Sequence, residues 1–290
     1  MAVAEPIRLE AVRPRFRKPK LLSRQLSRKL NIAAASLFVI MTLIALLVPV
    51  ISPHDPLTLI GAPLLAPGKG GFLLGSDSIG RDVLSRVLYG ARASWFAALA
   101  VVAIGVIVGG VVGLIAGATG GWVDNVLMRI TDGFLALPAP VLAIAVVAAL
   151  GPGFMHTLIA VSIVWWPFYA RIVRGEIRNL AARPHVEAAK LARNGRFRIA
   201  FRHLLPGAIP ATLVTASLDI GNLVLTLAGL SFLGLGQSAP APELGADAAR
   251  NLTFLLQEWW VPVIPGIAVM VLALIGNIAG DGVRNLMEPE

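Results

Sequence analysis

The sequence predicts an all-α integral membrane protein with six transmembrane helices. Three observations carry that prediction. The 290 residues are 57% hydrophobic and only 14% charged, whereas about a quarter of an ordinary soluble domain is charged. Apolar runs recur at the length a helix needs to cross a bilayer core, about 20 residues. The basic residues are gathered rather than spread: nine of the 25 Lys and Arg fall before residue 30 and nine more between Arg171 and Arg202.

Short basic segments beside apolar runs are the positive-inside signature of membrane topology. A net charge of +9 would suit nucleic acid if it formed one continuous face, but two loop clusters do not, so no nucleic-acid partner is expected. The chain has no cysteine, which excludes disulfides and thiolate metal sites.

Taken in order, residues 1–30 are polar, carry Pro6, Pro14 and Pro19, and hold the first basic run. They read as a flexible cytoplasmic tail ahead of a membrane domain over 31–290. A cleaved signal peptide is the competing reading. The apolar run 32–51 is too long for a signal core, and Ser52 and Pro53 follow it instead of a small-residue cleavage site. It is therefore the first span. The other five are 95–119, 126–150, 155–173, 208–235 and 260–280. With the tail and the second basic cluster both inside, six crossings return the C-terminus to the cytoplasm. Backbone polar groups in lipid must be satisfied within the segment, so these runs are helices.

Trp95, Trp165, Trp166, Trp259 and Trp260 fall near predicted span ends, where indoles favour the interface. Gly105, Gly109, Gly113 and Gly117 recur every four residues in the second span. That spacing stacks them on one helix face and permits close approach, either inside this chain or toward a partner or moving helix. Arg129 and Asp132, three apart, read as a local surface pair.

The loop 174–206 predicts two short helices. Pro184 suits a first helical turn, where its missing N–H has no partner to lose. Asn194-Gly195 breaks the first helix, since both tolerate left-handed backbone. Arg196 to His203 forms a second helix, stopped by Leu205-Pro206. Such a hairpin, with Ala188 and Ala189 as a flat surface, fits a cleft in a cytosolic protein; a basic loop resting on anionic lipid is the plainer reading.

Glu187-Ala188-Ala189, with Leu205-Pro206 sixteen residues after Ala189, resembles the signature loop of permease subunits of binding-protein-dependent ABC importers. Further blocks resemble the second permease subunit of the dipeptide, oligopeptide and nickel group. They include Gly75-Ser76-Asp77-Ser78-Ile79-Gly80-Arg81-Asp82, Tyr89-Gly90-Ala91-Arg92, Met128-Arg129-Ile130-Thr131-Asp132 and Phe168-Tyr169-Ala170-Arg171. Arg202-His203-Leu204-Leu205-Pro206, Leu230-Ser231-Phe232-Leu233-Gly234 and Gly280-Asp281-Gly282-Val283-Arg284 follow in the same order.

The resemblance implies a type I importer permease fold in the bacterial cytoplasmic membrane. It implies that Glu187, Ala188 and Ala189 lie on a helix that docks into an ATPase subunit. The partners it implies are a homologous second permease, one or two cytosolic ATPase subunits, an extracytoplasmic substrate-binding protein and membrane lipid. The family usually has Gly six residues after the Glu, where this chain has Arg193; Gly195 stands two residues later. The tail Met287-Glu288-Pro289-Glu290 also departs from the family's usual Asp-Pro ending.

The chain itself lacks a Gly-x-x-x-x-Gly-Lys-Ser/Thr loop, because Gly68-Lys69 runs into Gly70. ATP and magnesium therefore belong to partner subunits, and this chain is expected to be neither an enzyme nor a cofactor carrier. Its four histidines, His54, His156, His185 and His203, have no metal-ligand spacing. Asp219 and Asn222 in the fifth span are polar groups at membrane depth, which must face protein or water. Asp219 either lines the translocation route or pairs structurally with a polar neighbour. The leading function is ATP-driven peptide import by alternating access. Nickel or another small solute is the alternative cargo, and a secondary transporter without ATPase partners is the alternative class.

Overall fold

The computed structural model describes residues 24–287, so the expectation for the N-terminal tail lies largely outside the described residues. The fold is all-helical, and five of its helices are long and apolar enough to cross a membrane: α1 (Arg24–Ile51), α2 (Val83–Thr119), α5 (Phe154–Ala181), α8 (Leu205–Phe232) and α10 (Trp260–Met287).

The third predicted span, 126–150, is not a single helix. It is a pair, α3 (Gly121–Leu135) and α4 (Ala139–Leu150), bent by 87°. Pro138 causes the break, with φ −57° and ψ 128° at the start of α4. A proline offers no N–H to the preceding turn, and it pushes the residue before it, Leu137, away from helical angles. Counted as one crossing, the pair completes the predicted six.

Three helix contacts set the arrangement. A Cβ on Gly105 would stand 2.9 Å from the Tyr169 ring, one on Gly109 2.4 Å from the Trp166 carbonyl, and one on Gly113 2.5 Å from the Ala170 carbonyl. The numbers rise together along both helices, so α2 and α5 run parallel with their backbones almost touching. The four-residue glycine stripe is thus a packing seam within this chain. On α8 and α10 the order is reversed, with Gly221 against Ala273 and Asn277 and Gly280 against Ser217. Gly282 of α10 likewise meets Asn31, Ala34 and Ala35 of α1.

The core lies where α2, α5 and α8 meet, around Trp95, Val101, Tyr169, Leu223 and Val224, all fully enclosed. Trp95 is therefore a core residue and not an interfacial anchor. Because α2 begins at Val83, well before the predicted start, Trp95 sits more than three turns inside the helix, where its indole N–H donates to Thr42 Oγ1 at 3.1 Å. Trp165 and Trp166 also fall in the middle of α5. The loops 52–82 and 233–259 share one end of the bundle. The basic segment after α5 lies at the other.

Candidate functional site

At the basic end, α5 is followed after two residues by α6 (Pro184–Leu191), with Pro184 in its first turn as its chemistry favours. One face of α6 is fixed. Val186 and Ala189 are buried against Ile177 and Leu180 of α5, with Leu114 of α2 and Ile199 and Leu204 in the same apolar cluster. The other face is open: Glu187 and Ala188 are exposed, and Leu191 is 85% exposed. Among the described residues Glu187 has no ion-pair partner.

The end of α6 differs from the sequence expectation. The left-handed residue is Arg193, at φ 55°, while Gly195 has φ −64°. The amide of Asn194 donates to the Ala189 carbonyl at 3.3 Å, and the amide of Arg193 to the Lys190 carbonyl at 3.0 Å. These two bonds form a Schellman closure, whose left-handed position is normally Gly because a Cβ crowds the following carbonyl there. The closure is dictated by hydrogen bonding, so Arg193 takes the strained angles where its neighbours seemed better suited.

Leu205-Pro206 does not stop the second helix. Helix α7 (Arg196–Ile199) passes through a π-helical turn, Ala200–Leu204, directly into α8, giving one helical run Arg196–Phe232. Pro206 has no N–H for the usual bond four residues back, and its ring crowds that carbonyl. A wider π turn immediately before it accommodates both effects.

Within the bundle, Asp219 is buried and pairs inside this chain. It accepts hydrogen bonds from the indole N–H of Trp165 and from the Tyr169 hydroxyl, the latter at 3.0 Å. Asp219 thus has a structural pairing within the chain, and Asn222 on the same helix is exposed. Asp132 does not pair with Arg129. Its carboxylate meets Arg171 of α5 at 2.6 Å, because the register of α3 on α5 brings that guanidinium closer than its own helix does. Nearer the basic loop, Asp124 of α3 is fully enclosed and holds both Arg174 and Arg178 of α5.

The opposite end contains a polar centre that residue patterns did not reveal. Arg86, 3% exposed, uses all five guanidinium N–H groups. It donates to Asp247 at 2.6 and 3.1 Å, and to the carbonyls of Pro56 at 3.0 Å, Pro240 at 3.1 Å and Ala241 at 3.3 Å. Beside it, Asp82 caps α2 through the amides of Leu84 and Ser85 and lies 3.2 Å from the His54 ring. Asp77 closes its own turn by accepting from Arg81 at 2.6 Å. Glu243 caps α9 (Leu244–Arg250) through the Ala246 amide at 2.9 Å, and burial raises its carboxyl above the ordinary glutamate value. The block 74–86 is thus a structural knot joining two loops to the start of α2.

Comparison with known proteins places this geometry in a family. Residues 109–290 match the family described as the binding-protein-dependent transport system inner membrane component. The probable D,D-dipeptide transport system permease protein DdpC of Escherichia coli is 37% identical over 284 residues, covering 97% of this chain and 95% of that protein. The glutathione transport system permease protein GsiD of Pectobacterium atrosepticum is 36% identical over 292 residues, covering 100% of this chain and 96% of the relative. The di/tripeptide transport system permease protein DppC of Pseudomonas aeruginosa is 38% identical, covering 85% and 83%. Among solved structures, a chain of the inward-facing MetNI methionine ABC transporter superposes with a TM-score of 0.57 at 17% identity, over 70% of this chain and 96% of that one. At that identity the match speaks for the fold.

Proposed function

The chain belongs to the family of binding-protein-dependent transport system inner membrane components, and on that premise we propose that it carries short peptides inward as one half of a permease pair. As a family member it is a multi-pass membrane permease component of an ABC importer. The cargo reading rests on relatives whose names specify dipeptides, di- and tripeptides and glutathione.

The observation that carries the mechanism is α6. It is anchored on one side by Val186 and Ala189 and open on the other at Glu187 and Ala188. A short helix so held moves with the ends of α5 and α8 and presents a small face carrying Glu187 and Ala188 to a partner. In this reading that partner is a cytosolic ATPase subunit, which supplies ATP and magnesium. The basic loop and both termini then face the cytoplasm, and the knot around Arg86 faces the side where a substrate-binding protein delivers cargo. Closure of the ATPases pulls on α6 and reorients the cavity between this chain and a homologous partner.

Glu187→Lys tests the assignment by reversing the charge on the open face of α6 and leaving its buried face untouched. ATPase co-purification and dipeptide uptake should both collapse while the chain still reaches the membrane in normal amounts. Full uptake with ATPase subunits still bound would sink the coupling role.

A further inference from the structure

The segment between α6 and the membrane carries a second surface, distinct from the open face of α6. The run Arg196–Phe232 is one helix through the π turn, and it carries exposed large apolar residues on both sides of that turn. Phe197 is 83% exposed and Phe201 59%, followed further along by Ile209 at 46% and Leu213 at 49%. Ile209 and Leu213 are exposed on the part of this run that is long and apolar enough to cross a membrane. The two phenylalanines carry exposed apolar surface on the same run past Pro206 into the basic segment. Arg196, Arg198 and Arg202 are exposed beside them, and among the described residues none lies within ion-pair distance of a carboxylate. Arg198 reaches only the Asn194 side-chain oxygen, at 3.3 Å. Because α6 ends at the left-handed Arg193, this stretch is not a continuation of the α6 helix.

Exposed aromatic residues at the root of a helix apolar enough to cross a membrane, flanked by guanidinium groups with no carboxylate partner, have the composition of an interfacial element. We propose that the stretch from Arg196 to Leu204 anchors the basic loop to its own leaflet. In this arrangement Arg198 and Arg202 bind the phosphates of anionic phospholipid, and Phe197 and Phe201 enter the acyl boundary. The anchor fixes the root of α6 at a constant depth, which a helix pulled by a partner requires of its support. The inference goes beyond the import reading and does not depend on it, since it needs only that α8 crosses a bilayer.

The test uses the full chain alone, purified and given equimolar phosphatidylglycerol and phosphatidylcholine, with retained lipid counted by native mass spectrometry. The unaltered chain should keep phosphatidylglycerol in preference. Arg198→Gln and Arg202→Gln should each lower that retention about fivefold, the equivalent of ~1 kcal/mol per basic residue at a charged membrane surface. Arg198→Lys with Arg202→Lys should restore it, which a merely structural contact would not. The chain has no cysteine, so Phe197→Cys gives a unique site for a spin label in vesicles of the same lipids. That label should be shielded from a water-soluble relaxation agent and reached by oxygen. Unchanged phosphatidylglycerol retention in the glutamine variants, or a water-exposed label at position 197, would overturn the proposal. In a second preparation, co-purified from membranes with its partners, glutamine variants that keep their lipid but lose ATPase subunits would overturn it too, since that result would assign the arginines to a protein partner.

Discussion

Arg86 and Arg193 sit at opposite ends of the same bundle and are held in opposite ways. Arg86 is enclosed, and its five N–H groups are all matched by this chain. Arg193 is exposed, and what constrains it is its own backbone, at φ 55°. The difference extends to their surroundings. Around Arg86, Asp77, Asp82, Glu243 and Asp247 are all buried and bonded within the chain. Around Arg193, Glu187, Lys190, Arg196, Arg198 and Arg202 stand in the open. A buried charge must be satisfied internally, because leaving it alone is far more costly than leaving an exposed one. One end is therefore complete as a structure, and the other presents groups whose partners lie elsewhere.

That contrast can be broken most forcefully at the knot. Arg86→Ala should destabilise the chain by about 3 kcal/mol, because buried Asp247 keeps only the longer contact to Arg250 at 3.4 Å. Thermal unfolding in detergent should reveal it, together with poor recovery from membranes. A loss as small as that of an exposed arginine would mean that the knot is not the stabilising element described here. At the other end, Val186→Ala removes the buried support of α6 and should cost ~2 kcal/mol. Its diagnostic is weaker recovery of ATPase subunits with the bundle still folded.

Arg193→Gly sharpens the comparison in the opposite direction. It relieves the left-handed strain and should stabilise the loop by about 1 kcal/mol. Slower hydrogen exchange across α6, with no change at the knot, would report it. The smallest effect concerns Glu243, whose carboxyl is raised by burial. Its stabilising contribution is complete below the ordinary value of 4.5 and is lost as pH rises through the elevated one. Glu243→Gln keeps an oxygen for the cap and should flatten the fall in stability above that pH, which melting curves across a pH series would measure.

Much of this architecture could be read in advance, because it depends on short-range pattern. Apolar length located the spans, and the four-residue glycine spacing identified the face that packs. Pro184 marked the start of α6. The failures have a common origin in contacts between residues distant in sequence. The pairing of Arg86 with Asp247 spans 161 residues, and no periodicity links them. Asp132 found Arg171 rather than Arg129 because of how α3 lies on α5. Trp95 looked like an interfacial indole only while the start of its helix was placed too late. Pro206 reads as a stop because the π turn that accommodates it has no sequence signal of its own. Residue preference points to Asn194-Gly195 and the family resemblance to position 193; hydrogen-bond closure makes Arg193 the left-handed residue.

The glycine seam also has a consequence for motion. With a Cβ excluded to within 2.4 Å of the Trp166 carbonyl and 2.5 Å of the Ala170 carbonyl, α2 and α5 have no clearance to slide past one another. Any larger residue at position 105, 109 or 113 would drive its Cβ into α5. The two helices therefore travel as a single strut, and the strut carries the knot at one tip and the root of α6 at the other. A displacement of the α6 root therefore moves the knot end with it.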